Sequence, residues 1–546
     1  MKRWFDKHRR TNPHSAAAGQ GSVTGPGFMT VLIFFIGMMY GAVSRADSQW
    51  DLKVIEKYID SYQLETAKQK LSELTSRTRD SAKGKYLQGK LAFYGGDYKH
   101  ADELLKDAIE EMRTELDWKY LRDQVKVSRR HTRNLRKSSP RNGFTFYYEN
   151  GNDSILIPYA LETLLAQVAK LTESLGDYPT GIRVYILPSV AMLSELCGLS
   201  IEQIEATGTV AISKYNRIMI LSPSLIVGGY PWLDTLAHEL THIAITRISQ
   251  NRAPIWLHEG IAKLLEAQWR GVDHSELTPV LAYLLDQAAK QRRLIPLRRF
   301  HPSVSYLPNQ EDAALAYAQG LSFIRFITGQ FKEGQSLETL LKATAEKSLD
   351  AALETTTSFN ITKLFQWWQH SLEGVRNTPA ALVPLLERRF KTMPGTRVSN
   401  IDPALDREVR RHIRVGDLLQ IRGHVPAAQR EYEWALAKNE TMTPDIVDRL
   451  VRVLLAQNNA DGALRLLESM KTLYPNHSTT FLQAGEAHMK KGQFNEADDE
   501  LKRAIALDPF HPDVHCMLSA IHGEQNREKL SEREKAACIK LSGAPR

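Results

Sequence analysis

The sequence is poor in cysteine. Only Cys197, Cys516 and Cys538 occur in 546 residues. Their spacing fits no thiolate metal site, which excludes a cysteine-built metal centre. Cys516 and Cys538 can approach across a helical hairpin, but nothing in the sequence demands a bond. So few cysteines neither establish nor exclude an oxidising compartment. Long apolar runs are also nearly absent: residues 28–43 form the only strong one. At about sixteen residues it is short for a full bilayer crossing. Lys2, Arg3, Lys7, Arg9 and Arg10 precede it, a positive-inside arrangement. The run suits a signal peptide, with Ser44-Arg45-Ala46 as a small-residue cleavage site. The long polar stretch before it favours an uncleaved anchor. Either way the bulk of the chain is expected outside the cytoplasm, in the cell envelope. It would be anchored in the inner membrane facing the periplasm, or free in the periplasm if the segment is cleaved.

Acidic residues are scarce in one place. From Lys119 to Arg141 nine basic residues face a single acidic one, Asp123, and carry much of the net charge of +8. Aromatic residues are not interleaved there in a stacking pattern, which argues against a nucleic-acid partner. A solvated linker, or an arm lying on anionic lipid, is the expectation.

The chemistry is concentrated in two short stretches. His238-Glu239-Leu240-Thr241-His242 places two imidazoles four residues apart with a carboxylate beside the first. Residues i and i+4 of a helix share a face, so His238 and His242 can aim at one ion. Trp232 to Ala237 before them and Ile243-Ala244-Ile245 after them read as one mostly buried amphipathic helix. Two histidines and a glutamate are costly to bury unless paired or metal-bound. Zinc takes nitrogen and oxygen ligands, and a catalytic site keeps three protein ligands and one open position. The third ligand should come from Ala253-Pro254-Ile255-Trp256-Leu257-His258-Glu259-Gly260, where Pro254 marks a turn before a second helix. His258 and Glu259 are adjacent there and point about 100° apart, so only one faces the ion. Glu239 is the expected general base. Asp234, four residues before His238, either holds an imidazole from behind or complements the helix dipole.

These stretches resemble the gluzincin metallopeptidases, specifically the small peptidase MA-like domains. Those carry HExxH followed by W-L-x-E-G-x-A, matched here by Trp256-Leu257-His258-Glu259-Gly260-Ile261-Ala262. The resemblance implies that Glu259, 17 residues after His242, is the third zinc ligand. It continues into Tyr317-Ala318-Gln319-Gly320, where a Y-x-x-G tyrosine in related aminopeptidases helps stabilise the oxyanion, a role this implies for Tyr317. No segment for gripping a free amino terminus is recognisable, so exopeptidase specificity is not implied. Phe144–Tyr148 and Ile182–Leu187 read as strands, with a helix from Ile157 to Gly176 between them. Gly208–Ser213 and Arg217–Ser222 read as two more joined by Lys214-Tyr215-Asn216. In zincins the edge strand near the helix pairs with extended substrate; which of these two is the edge is open.

The flanks repeat. Ala428, Ala463 and Ala497 mark units 35 and 34 residues apart, closing at Pro509, and Ala67 and Ala101 are 34 apart. That is the tetratricopeptide (TPR) period. A fourth, degenerate unit runs from His511 to about Leu541. The two N-terminal units are too few to stand alone and should pack on the peptidase or on a partner.

The expected fold is therefore an α+β zincin-like metallopeptidase domain, a mixed sheet plus active-site helices, with flanking all-α TPR-like superhelical segments. The expected order is a basic segment (1–27), signal anchor or signal peptide (28–46), TPR-like repeats (50–116), basic linker (117–142), peptidase MA-like zinc domain (143–375), turn-rich linker (376–408) and TPR repeats (409–541). The expected cofactor is Zn2+, held by His238, His242 and Glu259. The expected partners are a polypeptide substrate, proteins bound by the repeats, and a membrane through the N-terminal segment. The alternative is an envelope scaffold whose repeats do the work, with a structural or weakly active zinc domain. A further alternative keeps the hydrolase but turns it on peptide stems of the cell wall; no glycan-binding aromatic pattern supports it.

Overall fold

The computed structural model describes residues 50–543, except 140, 150, 272–275, 373–386, 392–400, 402–404 and 440–441. The segments 1–27 and 28–46 lie outside the described residues, as does most of 376–408. Two compact units are distinguished, 1–54 and 55–546. Of the first, only residues 50–54 are described, and they are helical. The second unit holds the sheet, the metal-site helices and both sets of repeats.

The sheet has five strands: β1 (Arg136–Lys137), β2 (Phe144–Tyr148), β3 (Ile182–Leu187), β4 (Ala211–Lys214) and β5 (Arg217–Leu221). Their order is β1-β2-β3-β5-β4. β2, β3 and β5 are parallel, and the outer strands β1 and β4 run antiparallel to their neighbours. The sheet is thus mixed, as expected. β3 and β5 are buried along their whole length, as central strands covered on both faces must be. The left-handed Tyr215 and Asn216 turn β4 back on β5. Of the β4–β5 pair, β4 is the one at the sheet edge.

Helix Leu156–Leu175 packs on helix Trp232–Ile248, which runs beside β4. The latter follows Pro231 and carries Asp234 in its first turn, where the dipole favours an acid. It ends at Ser249, and left-handed Gln250 and Asn251 reverse the chain. Extended Pro254 then starts helix Ile255–Leu265. That helix crosses Gln310–Thr328 at Gly260 and Gly320. A Cβ on Gly260 would meet the Gly320 carbonyl oxygen at 2.7 Å, so glycine is what lets the two backbones touch.

The basic stretch expected to be a linker is largely a helix, Leu116–Thr132, with Trp118, Leu121, Val125 and Ser128 buried. Their 3-4-3 spacing is a helical face. It packs on helix Tyr98–Glu111, and its charges find local acids: Arg122 and Arg129 meet Asp102, and Arg130 and His131 meet Glu195. The N-terminal hairpins sit against the sheet. The fully buried Arg217 donates to Tyr98 Oη (3.0 Å) and Ser128 Oγ (2.9 Å), and the Tyr215 amide donates to Tyr62 Oη (3.1 Å).

At the other end, eight helices from Arg407–Ile421 to Glu528–Ser542 pair into four hairpins. Ala428, Ala463 and Ala497 are fully buried, small enough for the paired helices to approach. Cys516 and Cys538 are disulfide-bonded across the last hairpin. The last two of these hairpins share one hydrophobic core with the sheet and the helices that carry His238, His242 and Glu259. Trp232 Nε1 donates to Ile505 O (2.9 Å), the Tyr230 amide to Leu507 O (2.9 Å), and Tyr159 Oη to Glu534 (2.7 Å). Buried polar groups need such partners, which fixes the register of the docking.

Candidate metal centre and its cleft

His238 and His242 lie one turn apart on helix Trp232–Ile248, their ring centroids 4.6 Å apart. Glu259 reaches them from helix Ile255–Leu265. Its Oε2 lies 3.4 Å from His238 Nε2 and 3.6 Å from His242 Nε2. One ligand atom from each of the three falls within 4.8 Å of the others. Glu259 Oε2 is buried and, among the described residues, without a hydrogen-bond partner. Two imidazoles and a carboxylate whose free oxygen points at both are a donor set that fits zinc.

His258 does not join this cluster. It is buried beside His242, with ring centroids 5.6 Å apart. Burial and the neighbouring His242 push it down to about 3, so it stays neutral.

The group behind His238 is not Asp234. His238 Nδ1 donates to Glu266 Oε2 at 3.0 Å, which leaves Nε2 for the ion. Glu266 is also bound by Lys263. Burial works against ionising Glu266, but Lys263 and His238 outweigh it and hold its carboxyl below the usual range. Burial works to lower His238, yet the nearby carboxylates of Glu259 and Glu266 raise it to about 10. Glu266 lies seven residues after Glu259, two helical turns on and along the same face. That spacing is the signal that could have found it. Asp234 instead accepts from Trp269, Arg270 and Arg503. Glu266→Ala should weaken zinc binding about 10- to 100-fold. Competition with a chromophoric chelator measures this, and an unchanged affinity would remove Glu266 from the site.

Glu239 is 6% exposed, and its Oε2 has no hydrogen-bond partner among the described residues. Leaving a carboxylate oxygen unpaired in the protein interior is unfavourable, which marks a group kept for something that enters the site. Tyr317 comes from helix Gln310–Thr328, its ring 6.1 Å from that of His238. Burial and the charge of Glu259 push its phenol well above the usual range. It is therefore a proton donor at any physiological pH. The Gly260–Gly320 crossing sets how near Tyr317 stands to the ligands.

All five residues line one cleft of about 1740 Å³. One wall is β4 with the residues leading into it, Thr209 to Lys214. The lining also includes repeat residues, among them Asp417, Asp448, Arg452 and Tyr474. The metal centre and these repeat residues thus open into the same space.

Comparison with known families agrees with this geometry. The profile described as Peptidase MA superfamily matches residues 162–374, and that of the tetratricopeptide repeat matches 454–521. The chain carries a Peptidase MA superfamily domain together with tetratricopeptide repeats. Among solved structures it is similar to a thermophilic TPR protein in Thermus thermophilus, at 20% identity over 24% of this chain and 74% of that one, TM-score 0.23. It is also similar to MamA from Desulfovibrio magneticus, at 19% identity over 25% and 76%, TM-score 0.23. A third is YrrB, described as a TPR protein with an unusual peptide-binding site, at 18% identity over 25% and 70%, TM-score 0.22. No curated protein matches the chain.

Proposed function

We propose that this protein is an exported, membrane-anchored zinc metallopeptidase that hydrolyses peptide bonds with Glu239 as general base. The observation that carries the reading is the unpaired, buried oxygen of Glu239 beside three converging ligands. A structural zinc site has no use for such a group, which sets the scaffold reading second.

His238, His242 and Glu259 would hold the ion, with Glu266 fixing the His238 ring. When bound, zinc supplies Lewis-acid activation of water and of the scissile carbonyl. Glu239 takes the proton of the attacking water and returns it to the leaving amine. Tyr317 donates a hydrogen bond to the carbonyl oxygen as negative charge develops there. The free edge of β4 pairs with the extended substrate backbone by strand addition. The repeat wall of the cleft would contact the polypeptide beyond the scissile bond.

Export rests on the apolar run 28–43 with its basic flank. It is supported by the Cys516–Cys538 bond, since disulfides persist mainly in oxidising compartments.

The test is metal analysis and casein hydrolysis by the purified protein, before and after chelation. One zinc per chain, activity lost with the metal and restored by adding it back, is the expected result. No zinc even after reconstitution would overturn the reading. Zinc without proteolysis would favour the scaffold. Protease added to spheroplasts checks the placement, and full protection of the chain would put it in the cytoplasm.

A further inference from the structure

Residues 387–391 return to the cleft after the peptidase helices. Their backbone is stitched down on two sides. The Val227 amide donates to Arg389 O (3.0 Å) and the Lys391 amide to Leu225 O (2.7 Å), making an isolated bridge between Ile226 and Phe390. On the other side the Gln310 carboxamide makes a reciprocal pair. It accepts from the Arg388 amide (2.7 Å) and donates to Arg388 O (2.9 Å). Gln310 packs over Gly208, where a Cβ would meet its Oε1 at 2.7 Å and where φ is +66°. The segment is thus fixed between the entry to the motif helix and the entry to β4.

This places the Arg388 side chain in the wall of the metal cleft, with Tyr317, His238 and Glu239 in the same cleft. It is half-buried. Among the described residues its one side-chain hydrogen bond goes to the Gly208 carbonyl (2.7 Å). A guanidinium has five N–H donors, so four have no partner among them. Among the described residues no carboxylate forms an ion pair with it. Glu266, which acts on it through space, is already engaged by His238 and Lys263. Its charge reaches the phenols of Tyr317 and Tyr230, lowering both against the larger upward push of burial. A cation set down in a substrate cleft without its anion is an anion-binding group.

Its position along the cleft says which part of a substrate it meets. Gly208 precedes β4, which runs from Ala211 to Lys214, away from Arg388. A strand added antiparallel to β4 runs the other way, so its C-terminal end arrives at Gly208 and Arg388.

We propose that Arg388 is a specificity-determining residue that binds a carboxylate on the C-terminal side of the scissile bond. The carboxylate is either the free end of the chain or an aspartate or glutamate side chain. This rests on the peptidase reading of the site. Arg388 acts in binding and takes no part in the proton transfers of Glu239.

The experiment uses the full-length zinc-loaded protein carrying Glu239→Gln, which holds peptide without cleaving it. Three fluorescently labelled hexapeptides of alanine and leucine serve as probes. One has a free C-terminal carboxylate, one a C-terminal amide, and one an amide with glutamate in the penultimate place. One carboxylate form should bind about tenfold or more tighter than the plain amide, the worth of a charge-assisted hydrogen bond. A win for the free end identifies a chain terminus, and a win for the glutamate form an acidic side chain. Adding Arg388→Gln should abolish the preference, and Arg388→Lys should keep part of it. With cleavable versions and Glu239 in place, the loss should fall on KM and spare kcat. Equal binding of the three peptides, or a preference that survives Arg388→Gln, overturns the proposal. The comparison of carboxylate with amide needs no change at position 388, so a variant that fails to fold does not shelter it. If the wild type hydrolyses casein and yet shows no carboxylate preference, only the assignment of Arg388 fails. If it neither hydrolyses casein nor binds any peptide, the peptidase reading fails and takes this one with it.

Discussion

Glu239→Gln is expected to lower casein hydrolysis by about 10²- to 10⁴-fold while the protein keeps one zinc per chain and its melting temperature. The substitution is nearly isosteric, and removes the charge and the basic oxygen but not the volume. Glu239 is not among the three converging ligand atoms, so its loss leaves the donor set whole. Its Oε2 has no partner among the described residues, so no hydrogen bond seen there is broken at that atom. A group with these two properties can be deleted with an effect on chemistry alone. Zinc content and kcat/KM measured on the same preparation separate the cases. Retained zinc with retained activity would remove Glu239 from the mechanism. Lost zinc would mean that Glu239 supports the ligands, and the base would have to be sought elsewhere in the cleft.

What the sequence exposes and what it hides divide along a physical line. The pairing of His238 and His242 is written in one helical turn, a local relation that needs no tertiary knowledge. Glu259 needed the resemblance, because Glu259 and His258 are equally plausible donors until the crossing of two helices is fixed. That crossing depends on Gly260 and Gly320, sixty residues apart. Glu266 was within reach as the residue two turns after Glu259, but Asp234 stood at an equally good helical spacing from His238 and competed for the same role. Geometry separates them: Asp234 faces three donors from other elements. The helix Leu116–Thr132 was hidden by its own surface. Nine basic residues drew attention away from Trp118, Leu121, Val125 and Ser128, whose spacing was helical throughout. β4 could not be identified as the edge because strand order is a property of topology, not of either strand. Arg388 left no trace, since only the tertiary bonds of 387–391 to Leu225, Val227 and Gln310 hold it in the cleft. The seam between repeats and peptidase was equally silent. The tetratricopeptide signature encodes packing within and between repeats, and says nothing about what an outer helix leans on.

That seam yields the second large effect. Asp234→Ala should lower stability by about 3 kcal/mol, the low end of the range for removing one partner from a buried ion pair. Asp234 Oδ1 accepts from Trp269 Nε1 (2.9 Å) and Arg270 Nε (3.0 Å). Its Oδ2 accepts from Arg270 Nη2 (2.8 Å) and pairs with Arg503 Nη1 at 3.4 Å. The first arginine belongs to the peptidase and the second to repeat helix Phe494–Ile505. One carboxylate therefore neutralises a cation from each side of the seam. The aspartate side chain is 8% exposed and each guanidinium side chain 16%. That remaining exposure is the reason for taking the lower figure, since solvent screens part of the uncompensated charge. Removing the carboxylate leaves two arginines facing each other, with Arg503 keeping its hydrogen bonds to Pro475 O and the Asn476 side chain and its place over the Phe481 ring. The expected result is a melting transition several degrees lower, and faster hydrogen exchange over 494–505 and the first turns of 232–248. Asp234→Asn, which keeps an acceptor oxygen but not the charge, should fall between. An unchanged transition with unchanged exchange would show that the seam is held by its apolar contacts alone. Zinc affinity below the transition should hardly move, because Asp234 touches no ligand. Glu266→Ala should do the reverse, weakening the metal with little effect on the seam. The two carboxylates are equally plausible supports for His238 by sequence spacing, and these opposite outcomes tell them apart.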